Sequence, residues 1–378
     1  VKHHRYNEQF EFVVDPVEFD KYTDKKLLQY CLGATMYMPG TRDFASAILE
    51  KKFPGLTSFV LCFEDACRLE DVPAAESNAL QLLNTLSDAI EDNRFNYSDL
   101  PLLFLRVRNF DQFKDFSSKL NPKIVKLITG FNFPKFNSDN GEAYYHHLEK
   151  LNRKFDDILY GMPILEDASV AYLETRIDEL MGIKRILDKY RDLVLNVRVG
   201  GTDFSACFGV RRGIDYTIYD IVTVRDCLTD ILNVFSRENM YTVSGPVWEY
   251  FRASKDMRWG ELPSFDFTKA LIKKDTIVND AIDGLLRELV LDKANGFIGK
   301  TIIHPTHLSY VNGMYAVTKE EYDDALQIVG SSGGVIKSTS SNKMNETKPH
   351  MNWAERILYT AKTYGVIKDQ SEYIKLFS

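Results

Sequence analysis

Polar residues that directly follow short apolar runs are the candidates for chemistry. Glu166 and Asp167 follow the run Leu159–Ile164, and Asp203 follows Leu193–Val199 across Gly200, Gly201 and Thr202. Two carboxylates from neighbouring strand ends suit a hard divalent ion such as Mg²⁺, which takes one or two protein carboxylates and keeps positions for water and substrate oxygens. Gly200 and Gly201 let backbone and substrate approach closely. Such an ion polarises a 2-oxo acid and stabilises its enolate as a Lewis acid. A facing arginine adds a fixed, two-pronged positive contact, and Arg106 closes the run Leu102–Val107 with Arg108 just beyond it. Further strand-end groups are Pro39-Gly40-Thr41-Arg42, Glu64-Asp65, Pro134-Lys135, Ser244-Gly245-Pro246 and His304-Pro305. Each also has a plainer reading, as a helix cap, a solvated side chain or, for Arg106, a structural partner of Glu64 or Asp65.

The elements that would position these groups alternate between short apolar and longer amphipathic runs. The strand-like runs are Thr35–Met38, Ser58–Phe63, Leu102–Val107, Val125–Ile128, Leu159–Ile164, Leu193–Val199, Tyr241–Val243 and Thr301–Ile303. Most are almost continuously apolar, as parallel strands covered on both faces are. Helical spacing appears in Tyr144, Leu148, Leu151 and Phe155, and in Leu173, Ile177, Leu180 and Leu187. It recurs in Val278, Ile282, Leu285 and Leu289 behind a cap at Asp275. The alternation predicts an α/β fold, a closed TIM (β/α)₈ barrel over residues 1–310, with active groups at the C-terminal strand ends. Residues 311–378 are expected to form a C-terminal extension. It comprises a helix at Lys319–Ile328, a polar, lid-like segment Gly330–His350 and a terminal helix at Trp353–Tyr364 ended by Gly365.

Composition sets outer limits. The chain has 378 residues, 44% apolar and 27% charged, with a net charge of −7, which excludes a disordered, collagenous or small disulfide-built protein. No basic excess or stripe marks a nucleic-acid partner. The run Leu56–Phe63 is too short to span a bilayer, and the polar start Val1–Asn7 has no apolar core of a signal peptide. Cys31, Cys62, Cys67, Cys207 and Cys227 are odd in number and form no CxxC pair. Together these features lead to the expectation of a reducing, cytoplasmic setting without a disulfide framework. Gly299-Lys300-Thr301 ends like a phosphate-binding loop, but the earlier glycine is replaced by Ala294 and the segment precedes a strand. His146 and His147, adjacent on a helix, do not face one another and make no metal pair.

The ordered set of strand-end motifs resembles the HpcH/HpaI aldolase and citrate lyase beta subunit family. Met36-Tyr37-Met38-Pro39-Gly40-Thr41-Arg42 is similar to its "FVPG(S/T)R" opening, and Leu61-Cys62-Phe63-Glu64-Asp65-Ala66 to "LDLEDA". Leu105-Arg106-Val107 is similar to "VRVN", Gly130–Lys135 to "GIVLPK", and Met162–Glu166 to "PLIET". Gly200-Gly201-Thr202-Asp203-Phe204 with Gly209 resembles "GxxDL…LG", and Gly299–Pro305 resembles "GKWAIHP".

The resemblance implies a TIM barrel that reversibly cleaves carbon–carbon bonds through a metal-chelated enolate, acting on a small keto or hydroxy acid or its coenzyme A thioester. It implies Glu166 and Asp203 as ligands of Mg²⁺ or Mn²⁺ and Arg106 as the contact for enolate or carboxylate oxygens. Arg42, Pro39, Gly40, Lys135 and Gly201 would line the mouth, with Glu64 and Asp65 supporting Arg106 or the ion's waters. Asn342-Lys343-Met344-Asn345-Glu346 stands where the family has "GKMVD", which implies Glu346 as an acid on the lid, in its own or a neighbouring subunit of a trimer or larger homo-oligomer.

Departures are Cys62 for Asp, Arg108 for Asn, Asp167 for Thr, and the segment Arg211–Phe251, which looks more like a divergent branch found near tellurite-resistance clusters. A thioesterase on the same barrel and a non-catalytic partner-binding subunit stay open as alternatives.

Overall fold

The computed structural model describes residues 1–252, 270–271, 273, 277–338 and 342–377. Strands β1 (Ala34–Pro39), β2 (Ser58–Cys62), β3 (Leu102–Arg106), β4 (Ile128–Phe133), β5 (Tyr160–Leu165), β6 (Arg198–Val199) and β7 (Lys300–Ile302) form one parallel sheet in the order β6-β5-β4-β3-β2-β1-β7. The ring closes between β6 and β7 through the segment 241–245. Val197 pairs with Val243 and Gly245 with Lys300, both in parallel. Val197 N–H donates to the Thr242 carbonyl at 2.9 Å, and Gly245 N–H to the Gly299 carbonyl at 2.9 Å. This eighth stave stays a pair of bridges because Pro246 has no N–H to extend the ladder. The expected (β/α)₈ barrel is therefore present.

The fourth strand lies later than its expected position at Val125–Ile128. Asn121 caps a short helix, Pro122–Val125, by accepting from Lys123 and Ile124 N–H, and the strand begins only at Ile128. Asn-Pro is a helix-start signal that outranks the apolar run behind it. Gly130 then permits close strand contact: a Cβ there would lie 2.1 Å from the Tyr160 carbonyl oxygen.

The helix behind the barrel at Asp280–Asn295 is capped by Asn279; Asp275 lies outside the described residues. The helix Gly141–Phe155 buries Tyr144, Leu148 and Leu151 as its spacing predicts. The helix Leu173–Lys189 instead buries Leu180, Ile183 and Leu187 and exposes Leu173 and Ile177, so its inward stripe is rotated from the expected one. His147 accepts or donates at 2.8 Å with the Ser117 hydroxyl and packs edge-on to Phe113, a packing role.

The barrel interior is apolar at the strand starts, where Val60, Leu102, Phe104, Tyr160, Met162 and Leu195 pack together. Towards the strand ends it turns polar, with Asn132, Arg106 and Arg198 all buried. Outside the ring, a fully buried ion network ties the helix Asp280–Asn295 to β7. Lys300 Nζ lies 2.9 Å from Glu288 and 2.7 Å from Asp292, and Glu288 also pairs with Arg212. The phosphate-loop lookalike thus places its lysine in a structural pair. All five cysteines are free.

After β7 the chain passes through helices Leu308–Met314 and Lys319–Val329, a hairpin of Val335–Lys337 with Met344–Glu346, and the helix Thr347–Tyr364. Residues 339–341 lie outside the described set. This last helix begins earlier than expected, and Gly365 (φ 82°) ends it. It packs beneath the strand starts. Tyr364 Oη donates to the Tyr30 carbonyl at 2.8 Å, Tyr359 stacks on Tyr30, and Arg356 donates to the Gly296 carbonyl. The extension therefore lies at the end of the barrel opposite the C-terminal strand ends. Among the described residues no helix is long and apolar enough to cross a membrane.

Candidate active site

At the C-terminal strand ends six charged side chains converge. Arg106, the last residue of β3, reaches Glu64 at 2.6 Å, Asp65 at 3.0 Å and Glu166 at 3.1 Å, all through one terminal nitrogen. Its buried Nε has no partner among the described residues. Lys135, just past β4, holds Glu64 at 2.9 Å and lies 3.6 Å from Asp203. Its backbone is left-handed (φ 46°), an unfavourable region for a non-glycine residue. That turn aims its N–H at Glu166 Oε1, 3.0 Å away, while the ammonium folds back over Glu64.

Glu166 leaves β5 and Asp203 stands in the first turn of the helix Gly201–Cys207. The two meet over Gly200: a Cβ built there would lie 2.5 Å from Glu166 Oε2 and 3.3 Å from Asp203 Oδ2. Only a residue without a side chain leaves that space free. Asp167, beside Glu166, caps the next helix by accepting from Ser169 N–H and takes no part in the cluster.

Electrostatics follow from this crowding. Burial, opposed by Arg106 and reinforced by Asp203, pushes the Glu166 carboxyl up to about 7. Burial also raises Glu64, although Arg106 and Lys135 oppose it. Asp65 lies below the usual carboxylate range: burial works against this, but its bond with Glu64 and the charges of Arg106 and Lys135 prevail. Burial alone would lower Lys135; Glu64, Glu166 and Asp65 instead hold it well above its ordinary value and so protonated.

Below the cluster opens a cavity of about 410 Å³ lined by Asp65, Arg106, Glu166, Gly200, Gly201 and Asp203, among others. A cavity of about 380 Å³ near Lys51 and Asp99 lies by the strand starts and contains none of these groups.

Of the predicted residues, Arg106, Glu64, Asp65, Lys135, Glu166 and Asp203 are brought together and Gly201 lines the cavity. Pro39, Gly40 and Arg42 belong to the same barrel face but do not line the cavity, and Arg42 is exposed, its carbonyl held by Asn78. His304 accepts from Thr306 N–H as a cap and stacks on Phe251.

Glu346 is not at this mouth. It is exposed at the end of the hairpin, where its N–H bonds His350 and its neighbour Asn345 donates to Asp324 at 3.0 Å. A lid formed by Gly330–His350 over its own mouth is corrected, because the extension packs at the other end of the barrel.

Tyr37, Asn132, Arg198 and Thr301 were not singled out from the sequence, yet Tyr37, Arg198 and Thr301 line the cavity, and Asn132 donates to Tyr37 Oη at 2.6 Å. Their signal is a polar residue at every second position of an otherwise apolar strand, as in Asn196-Val197-Arg198-Val199.

The donor set fits a hard divalent cation. Two carboxylates face a space kept clear by Gly200. One or two is the number of carboxylates that Mg²⁺ takes from a protein while keeping positions for water and substrate oxygens; among the described residues no group of three or more His, Cys, Asp or Glu is placed to hold a metal.

Over 107 residues the chain is 29% identical to the citrate lyase subunit beta of Leuconostoc mesenteroides subsp. cremoris; the match covers 26% of this chain and 34% of that subunit, so it spans about a third of the relative's length. The fold resembles CitE from Mycobacterium tuberculosis, solved with magnesium, acetoacetate and coenzyme A, at 17% identity and a TM-score of 0.51 over 87% of this chain and 97% of that one. A citrate lyase beta subunit from M. tuberculosis complexed with oxaloacetate and magnesium aligns at 17% identity and a TM-score of 0.44 over 76% and 98% of the two chains. Residues 26–366 match the family of carbon–carbon bond lyases of the TIM-barrel fold as a whole, and the chain belongs to that family.

Proposed function

We propose that the protein is a divalent-metal-dependent carbon–carbon bond lyase acting on a small anionic 2-oxo or hydroxy acid, free or as a coenzyme A thioester. The observation that carries this reading is the meeting of Glu166 and Asp203 over Gly200 beside a buried, carboxylate-braced Arg106. Magnesium in the Mycobacterium tuberculosis CitE complex supports the choice of ion. Glu166 and Asp203 would hold Mg²⁺ or Mn²⁺, which when bound supplies Lewis-acid polarisation of a substrate carbonyl.

The chain's own residues do the rest. Arg106 lines the cavity and is pre-set by Glu64, Asp65 and Glu166, so its guanidinium is already in place for negative charge building on the substrate oxygen. Lys135 stays protonated and draws an anionic substrate to the mouth. Glu64 and Asp65 act as positioning residues for both cations. Glu346 lies far from its own site, so a role as acid is proposed across a subunit boundary, in a homo-oligomer.

The test is exchange of the substrate α-proton with solvent, with and without Mg²⁺, on pyruvate, oxaloacetate and acyl-CoA panels. Metal-dependent exchange that Glu166→Gln and Asp203→Asn abolish is expected. Absence of exchange from every panel member sinks the lyase reading. Thioester hydrolysis without exchange would favour a thioesterase on the same barrel.

A further inference from the structure

Four arginines are buried among the described residues: Arg106, Arg176, Arg198 and Arg212. Three have carboxylate partners. Arg106 has Glu64, Asp65 and Glu166; Arg176 has Asp230; Arg212 has Glu249 and Glu288. Arg198, the most enclosed of the four at 1% exposure, has no carboxylate partner among the described residues.

Arg198 donates to the Thr301 hydroxyl at 2.6 Å and, at a long 3.4 Å, to that of Thr35. Its Nε has no partner among the described residues, and its Cζ lies 5.6 Å from the centre of the Tyr37 ring. Burial lowers the Arg198 guanidinium's pKa; Tyr37 opposes this and the Arg106 cation adds to it. A buried charge without a counter-charge is strongly disfavoured, and a chain that needed only packing between β6, β1 and β7 would meet that need with an apolar side chain. Arg198 nevertheless lines the same cavity as Glu166, Gly200 and Asp203.

The position of its guanidinium sets its role. Thr35 and Tyr37 are on β1 and Thr301 is on β7, so Arg198 leaves β6 and reaches the wall formed by those two strands. Glu166 and Asp203 stand at the ends of β5 and β6. A substrate whose 2-oxo head lies at Glu166 and Asp203 presents its other end to Arg198.

We infer that Arg198 is the anion anchor of the pocket: it takes a second carboxylate of the substrate and selects compact dianionic 2-oxo acids over monoanionic ones. This rests on the lyase reading for the position of the 2-oxo head, and on the cavity alone for the anion.

The test uses the full chain and Arg198→Met, with three readouts: Mn²⁺ binding by electron paramagnetic resonance, melting without ligand, and calorimetric titration of fresh oxaloacetate and pyruvate. A buried guanidinium–carboxylate contact is worth roughly 30-fold or more, so oxaloacetate affinity should fall by at least about that factor in Arg198→Met while pyruvate changes by less than about threefold. Mn²⁺ binding should persist, and the unliganded variant should melt no lower than the parent, because an uncompensated charge has been removed.

Unchanged oxaloacetate affinity in the variant, no oxaloacetate binding by the parent, or a lowered melting point with equal losses for both acids overturns the assignment. If the parent binds no Mn²⁺ and Arg198→Met still loses oxaloacetate selectively, the metal reading falls and the anchor stands.

Discussion

Lys135 touches both proposed metal ligands at once. Its backbone N–H donates to Glu166 Oε1 at 3.0 Å, and its ammonium lies 3.6 Å from Asp203 Oδ1. The ammonium therefore competes electrostatically with a divalent ion while the backbone orients the ligand that would bind it. Lys135→Met should tighten Mg²⁺ binding, by up to about fivefold given its half-exposed side chain, and should weaken an anionic substrate. Calorimetric titration of Mg²⁺ alone separates the two effects; weaker metal binding in the variant would mean that the ammonium props the site rather than opposes the ion.

The Glu166 carboxyl, pushed up to about 7 from an ordinary 4.5, makes the metal-free protein sensitive to pH. Between those two values the folded state holds a proton that the unfolded chain releases. Metal-free stability should therefore fall as pH rises through this window. Metal binding requires the deprotonated ligand, so Mg²⁺ affinity should drop by about tenfold per pH unit below the folded value. Melting curves in EDTA and in Mg²⁺ at pH 5.5 and pH 8 check both signs: the stabilisation by Mg²⁺ must be larger at pH 8. In Glu166→Gln the metal trend should be lost and the metal-free trend should shrink to what the raised Glu64 carboxyl contributes.

Glu346 and Glu166 stand at opposite ends of one barrel. If Glu346 serves a neighbouring mouth, Glu346→Gln and Glu166→Gln proteins are each inactive alone. Co-refolding them should restore turnover, because mixed assemblies contain mouths with both wild-type groups. Full activity of Glu346→Gln on its own, or no recovery from a mixture shown to be mixed by mass, removes Glu346 from the reaction.

Lys300 is enclosed with Glu288 and Asp292 at 2.9 and 2.7 Å, far from water. Lys300→Met leaves two buried carboxylates with too little positive charge, and a broken buried pair costs about 3–5 kcal/mol. Urea unfolding should show a loss of that size, and Mg²⁺ binding by the folded fraction should be unchanged. A loss under about 1 kcal/mol would mean that the carboxylates simply take up protons.

The sequence by itself determined the barrel and most of its charged mouth. Continuous apolar runs such as Ser58–Cys62 and Tyr160–Leu165 become strands because both faces are covered, and the polar residue that ends each run is delivered to one rim. That local rule is enough to gather Glu64, Arg106, Lys135, Glu166 and Asp203.

Only the tertiary structure decided what depends on distant partners. Gly130 announces no contact in one dimension; only the pairing of β4 with β5 sets it against the Tyr160 carbonyl. Leu173 and Ile177 share helical spacing with Leu180, yet the angle at which the helix meets the barrel turned them outward. The Gly330–His350 segment reads as a lid in one dimension, but the packing of Tyr359 and Tyr364 on Tyr30 carries it beneath the strand starts. Arg198, like Asn196, is a polar letter alternating with apolar ones; closure of the ring gave it hydroxyl neighbours and, among the described residues, no carboxylate.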